Sequence, residues 1–165
     1  MIDIREIQAT EHELYRALWV HAITDHASFF RIAPEDDLTT GIPTKFAADS
    51  FTLGAFRGAD LVGVVSVERD ARAKLRHKAL VFRMFVHPDT AGHGIGKALL
   101  QRVIATAASI AGLRYLYLTV LANNFRAIQL YTALTFQEFA REPGAVRIDE
   151  QYVDELQMAC LLVTA

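Results

Sequence analysis

The sequence has one cysteine, few prolines and no excess of charge of either sign. Cys160, alone among 165 residues, excludes an intramolecular disulfide framework and suits a reducing compartment. With four prolines and nine glycines, and no Pro-, Gly- or Ser-rich run, nothing reads as a linker, so residues 1–165 are expected to form one domain. Seventeen Lys and Arg against nineteen Asp and Glu give a net charge of −2, too little basic field to hold nucleic acid or anionic lipid. Neither is expected as a partner. The most apolar runs, Leu80–Val86 and Val103–Leu113, fall short of the ~18–20 residues that span a bilayer. The start, Met1-Ile2-Asp3-Ile4-Arg5-Glu6, is too acidic for a signal peptide, which leaves a cytoplasmic protein as the expectation. The six histidines show no His-x-x-x-His or comparable spacing, so no metal is expected. Apolar residues, at 52%, are abundant enough to build a core, and this excludes disorder.

The element pattern is legible from periodicity. Met1–Ile7 nearly alternates and reads as a strand. Thr10-Glu11-His12-Glu13 has the form of a capping box, and Leu14, Leu18, Ala22 and His26 follow at helical spacing, predicting a helix over 11–27. Ser28–Gly41 is irregular, and Pro43 predicts a short helix through about Asp49. Phe51–Arg57 and Leu61–Glu68 flank Gly58-Ala59-Asp60 as a hairpin. Lys78–His87 is a longer strand ended by Pro88. In Ile95–Ala111, Ile95, Leu99 and Val103, with Leu100 and Ile104, mark a helix closed by Gly112. Tyr115–Val120 reads as a strand, Phe125–Leu134 as a helix, and Gln137–Arg141 and Gln151–Leu162 as the last two strands. The order β-α-α-β-β-β-α-β-α-β-β predicts a mixed α/β (α+β) sheet.

Chemistry concentrates between the long strand and its helix, in Ala91-Gly92-His93-Gly94-Ile95-Gly96-Lys97. Glycines let successive amides turn inward, and the following helix adds unpaired N–H groups and the positive end of its dipole, so such a loop suits a phosphate or diphosphate. A tight turn with close helix–strand packing is the plainer alternative. A nucleotide P-loop is excluded, because three residues rather than four separate Gly92 from Gly96 and Ala98 has no hydroxyl for magnesium. A dinucleotide fingerprint is excluded too, because the pattern is G-x-G-x-G and Val120-Leu121-Ala122 holds no acid.

The residues resemble the GNAT superfamily of N-acetyltransferases. Val86-His87-Pro88, the glycine loop and Leu99-Leu100 match one family motif. Val120, Asn124, Ala127 and Leu130-Tyr131 match a second; Phe136 and Tyr152-x-Asp154-Glu155-x-x-Met158 match the closing strands. The resemblance implies the acyl-CoA N-acyltransferase fold, with acetyl-CoA as co-substrate and a small-molecule or peptide amine as acceptor. It implies that backbone around Phe85 and Val86 meets the pantetheine and that Ala91, Gly92, His93, Gly94, Ile95, Gly96 and Lys97 hold the diphosphate. Asn124 would bond the pantetheine or cap the next helix. Tyr131 takes the family position that protonates the departing sulfur; packing of its ring is the alternative. Where family members place a glutamate on the fourth strand this chain has Leu80, leaving Glu68 as the preferred base over His77, with a water chain as a third option. Phe29, Phe30 and Arg31 would shape the acceptor pocket or simply pack, as Trp19 and Cys160 are expected to. Ala91 and Thr135 depart from the family's Arg/Gln and Gly. A non-catalytic acyl-CoA-binding or sensor domain is the competing function, and a homodimer is compatible with the resemblance.

Overall fold

The structure, a computed structural model, describes residues 1–37 and 41–163. Part of the irregular segment expected at 28–41, residues 38–40, lies outside the described residues. Seven strands, β1 (Ile2–Glu6), β2 (Ser50–Arg57), β3 (Asp60–Arg69), β4 (Lys78–Val86), β5 (Tyr115–Leu121), β6 (Gln137–Ile148) and β7 (Gln151–Leu161), form one sheet. Its order is β1-β2-β3-β4-β5-β7-β6, antiparallel except for the β4–β5 pair. Three α-helices cover it: α1 (His12–Asp25), α2 (Ile95–Ala108) and α3 (Phe125–Ala133).

Strand alternation divides the core between the two faces. On one face Val81, Leu116, Leu118, Leu156 and Met158 pack with Leu99, Leu100 and Val103 of α2 and Tyr131 of α3. On the other, Tyr15, Leu18, Trp19, Ala22 and Ile23 of α1 pack on Phe56, Leu61 and Val64. Each fully buried Leu or Val contributes roughly 1.5–3 kcal/mol of transfer free energy, so the two α-faces carry the sheet from both sides.

Several boundaries differ from the sequence reading. The capping box forms two residues earlier, where the Gln8 N–H donates to Glu11 Oε2 at 2.8 Å and Arg5 grips Glu11 at 2.7 and 3.0 Å. That ion pair fixes Glu11 rather than Glu13 as the reaching residue. The helical stripe turns accordingly, burying Tyr15 and Trp19 and leaving Leu14 exposed. No helix forms from Pro43 to Asp49. Instead Lys45 N donates to Ser50 Oγ at 2.8 Å, Ala47 bridges Ser50, and Phe46 takes φ 55°, making a turn that feeds β2. α2 ends at Ala108 rather than Ala111, and β6 runs on to Ile148. A bulge sustains β6: Gly144 has φ 59°, and its N–H donates at 2.9 Å to Asp154, which Arg141 also holds at 2.8 Å. Thr135, where the resemblance implies glycine, takes a left-handed φ of 69°.

Between β4 and β5 the sheet opens. The two strands pair only at Lys78↔Tyr115, Ala79↔Leu116 and Leu80↔Tyr117. Beyond these pairs β4 is thrown aside by a bulge: Val64 faces Phe85 while Ser66 faces Phe82, with Arg83 at φ 50° taking up the extra residue. From Val81 to Val86, β4 therefore has no β5 partner.

Candidate active site

The opening is a cleft of about 970 Å³, and it draws residues from both sheet faces. Val81, Met84, Val86, Ala127, Leu130 and Tyr131 come from the α2–α3 side. Phe29, Phe30, Arg31, Leu80, Phe82 and Glu155 come from the other. One cavity thus reaches a donor half and an acceptor half through the gap in the sheet.

The glycine loop closes the donor half. Ala91 N is consumed by Pro88 O at 2.9 Å, and Ala98 N makes the first helical bond, to Gly94 O at 2.9 Å. Between them the amides of Gly92, His93, Gly94, Ile95, Gly96 and Lys97 donate to no acceptor among the described residues. A run of six unpaired N–H groups at a helix N-terminus is an anion cradle. Gly92 and Gly94 have φ 83° and 74°, and a Cβ at either would meet open space, so the loop is shaped by backbone conformation and leaves room for a ligand. Gly96 differs. A Cβ there would stand 3.2 Å from Leu130 and 3.4 Å from Met84, so its smallness lets α2 approach the cleft wall.

Of the residues singled out from sequence, Phe85, Val86, Ala91, Gly92, Gly94, Ile95, Gly96, Lys97, Asn124 and Tyr131 all line this cleft, as do Phe29 and Phe30. His93 does not. Its Nδ1 turns inward to the Thr90 and Ala91 carbonyls, 3.1 Å from each, so any share it has in the cradle is its amide. Ala91 offers a wall and no N–H. Asn124 caps α3, accepting from Ala127 N at 3.2 Å, and still lines the cleft.

Tyr131 sits in the wall with its ring edge-on to Phe136 at 5.8 Å. Its hydroxyl has no hydrogen-bond partner among the described residues, and burial pushes its pKa up to about 12. It is therefore a neutral phenol across the whole physiological range, able to donate toward the cleft.

Glu68 is not brought to the cleft. It lies opposite Leu80 on β3, where Lys45 Nζ donates to it at 3.0 Å and Ser50 Oγ also binds it. Those partners, reached through the turn that replaces the expected helix, engage its carboxylate, and Glu68 is not among the residues that line the cleft. Trp19 is core as expected, buried under Phe30 at 5.2 Å, yet it also lines the cleft.

Other cleft residues went unread in the sequence. Arg126 adds a positive charge beside the α3 N-terminus, and its place two residues after Asn124 was a usable signal. Arg83 donates to Tyr15 Oη at 3.2 Å and to Asp37 at 3.1 Å, with its guanidinium over Trp19 at 5.1 Å. Asp37 also accepts from Trp19 Nε1 at 3.0 Å. No local pattern announces a network that joins residues so far apart in sequence. The same holds for Glu155, which is met by Arg31 at 3.2 Å across 124 residues.

A sheet split beside a helix N-terminus with six unpaired amides is suited to hold an anionic ligand through its gap. The comparisons with known proteins are specific. The model of the acetyltransferase (GNAT) family matches residues 6–136, and the chain belongs to that family. A GNAT-family acetyltransferase from Streptococcus pneumoniae superposes with a TM-score of 0.82 at 22% identity, covering 99% of this chain and 100% of that one. The yncA protein of Salmonella typhimurium, solved with its cofactor acetyl-CoA, gives 0.81 at 18% identity over 100% and 96%. NAA60 of Arabidopsis thaliana, in complex with a bisubstrate analogue, gives 0.74 at 22% identity over the whole of both chains. At these identities the likeness is one of fold. The UPF0157 protein YqkA of Bacillus subtilis is 34% identical over 85 residues, which are 52% of this chain and 22% of that protein. The chain thus spans about a fifth of that relative.

Proposed function

We propose that this chain, acting as one domain, is an acetyl-CoA-dependent N-acetyltransferase that passes the acetyl group directly to a primary amine of a small molecule or peptide. The observation that carries this reading is the continuity of one cleft from the free amides of residues 92–97, through the β4–β5 gap, to Tyr131 and on to the opposite sheet face. The donor half fits a coenzyme A diphosphate: the six amides of residues 92–97 donate to no acceptor among the described residues, and Lys97 and Arg126 supply positive charge. Acetyl-CoA, when bound, supplies an activated thioester.

The protein's part is to position and to manage protons. The unpaired edge of β4 from Val81 to Val86 offers backbone groups to the pantetheine arm and to the thioester carbonyl. Tyr131 holds a proton at its hydroxyl, poised for the sulfur as it departs. A domain that merely sensed acyl-CoA would have no use for that hydroxyl. The lone Cys160, buried in β7, accords with a cytoplasmic setting, and among the described residues no helix is long and apolar enough to cross a membrane.

Incubation of the protein with acetyl-CoA and a panel of primary amines tests the reading, with free thiol and N-acetylated product as readouts. Stoichiometric appearance of both supports acetyl transfer, and thiol release only when amine is present supports the direct route. Tight acetyl-CoA binding with neither product across the panel supports the sensor function instead.

A further inference from the structure

The acceptor half carries a feature that acetyl transfer alone does not explain. Leu156, Met158 and Cys160 pack against α2 and α3, so the pleat turns Glu155 to the acceptor face. Its side chain is 3% exposed, and Arg31 Nη1 donates to its Oε1 at 3.2 Å while Arg31 itself stays 55% exposed. The second oxygen, Oε2, has no hydrogen-bond partner among the described residues. A carboxylate this buried needs a cation and more than one hydrogen bond. Glu142 lies directly across from it in register on β6, and like charges set opposite one another are unfavourable unless a cation joins them. The pair is therefore incomplete as it stands, with one half-exposed partner and one open acceptor oxygen.

Resting on the acetyl-transfer reading, we propose that Glu155 docks the ammonium of the acceptor, that Arg31 is the counter-ion the acceptor displaces, and that the acceptor is a monocationic primary amine on an apolar body. The charge count supports the class. Glu155 is the one acid among the described cleft residues, whereas Arg31 and Arg83 line the same half. A polyamine or amino-sugar brings several ammonium groups and finds a single carboxylate in the cleft lining, which Glu142 does not join. Apart from His26 and Thr119 the rest of this half is apolar, with Phe29, Phe30, Leu80 and Phe82 as its walls, and Phe29 and Leu80 remain 43% and 45% exposed. Large apolar side chains left open in a concave site are there to be covered by ligand.

Trp19, the sole tryptophan of the sequence, lines the cleft and gives a direct signal. Its fluorescence would be titrated with phenethylamine, its neutral counterpart phenethyl alcohol, and spermidine, while calorimetry follows CoA binding separately. Glu155→Gln should weaken phenethylamine at least tenfold and leave both the alcohol and CoA unchanged. Arg31→Ala should tighten phenethylamine several-fold, because it removes the competing cation, whereas a merely structural ion pair would give weaker binding or none. Spermidine should bind no more tightly than phenethylamine. Equal phenethylamine affinity in wild type and Glu155→Gln, loss of affinity in Arg31→Ala, or preference for spermidine would each overturn the proposal. A wild type that fails to bind CoA counts against acetyl transfer, and the amine titration still decides the role of Glu155.

Discussion

Replacing Tyr131 by phenylalanine isolates one atom. The ring keeps its contact with Phe136, and the lost hydroxyl has no partner among the described residues to strand, so folding stability should change by less than about 1 kcal/mol. Catalysis is a different matter. A positioned general acid contributes about 10²–10⁴-fold, or about 2.7–5.5 kcal/mol at 1.36 kcal/mol per decade. The expected result is a fall in kcat of that size in single-turnover experiments, with the Kd for CoA within about twofold of wild type, since a proton offered to sulfur matters only as charge develops there. The pH profile gives a second reading. The neutral phenol is the competent form, and with its pKa raised to about 12 it persists through every practical assay pH, so no alkaline limb below about pH 11 should come from this residue. The linkage runs the same way: the folded pKa exceeds the unfolded value of about 10, so the stability it contributes is complete below pH 10. That contribution is lost as pH rises toward 12, at about 1.4 kcal/mol per unit. Wild-type single-turnover rates in Tyr131→Phe would refute the acid role and leave the residue as packing.

Further consequences concern the loop, the base and one strained turn. Gly94→Val puts a β-branched side chain at φ 74°, into the open space reserved for the ligand, and should cost at least tenfold in CoA affinity by calorimetry. Glu68→Gln should leave kcat unaltered, because that carboxylate is engaged by Lys45 and Ser50 away from the cleft; a large loss of turnover would restore it as a base. Thr135→Gly removes the penalty of a β-branched residue at φ 69° and should raise the unfolding free energy by about 0.5–1 kcal/mol in urea titration, partly offset by glycine's greater chain entropy. Asn124→Ala, which deletes the α3 cap, should lower stability by about 1 kcal/mol.

The parts of the molecule that were legible in sequence are those written locally. Strand alternation, the i, i+4 stripe of Ile95, Leu99 and Val103, and the glycines of the loop each encode their structure within a few residues, and the structure bears out the order of the seven strands. Pro43 misled because proline permits a first helical turn without requiring one, and Ser50 offered Lys45 and Ala47 better partners in a turn. Glu11 displaced Glu13 from the capping box through Arg5, an interaction that spacing along the helix does not contain. The acceptor half was least legible. Arg31 with Glu155, and Arg83 with Tyr15, Trp19 and Asp37, are brought together by sheet order and by the bulge at Arg83, so their pairing is a property of topology. Glu68 was misplaced for a related reason: adjacency of β3 and β4 was readable, but the side to which its carboxylate is drawn was not.

The most direct test of the account is a map of where coenzyme A touches the chain. Backbone amide resonances of isotopically labelled protein, followed by NMR as acetyl-CoA is added, report this residue by residue. The largest shifts should fall on Gly92–Lys97, where six amides await acceptors, and along Val81–Val86, where β4 has lost its partner. Shifts confined to the shallow groove lined by Gln101, Ile104 and Leu134, or a loop that stays silent at saturating acetyl-CoA, would contradict it.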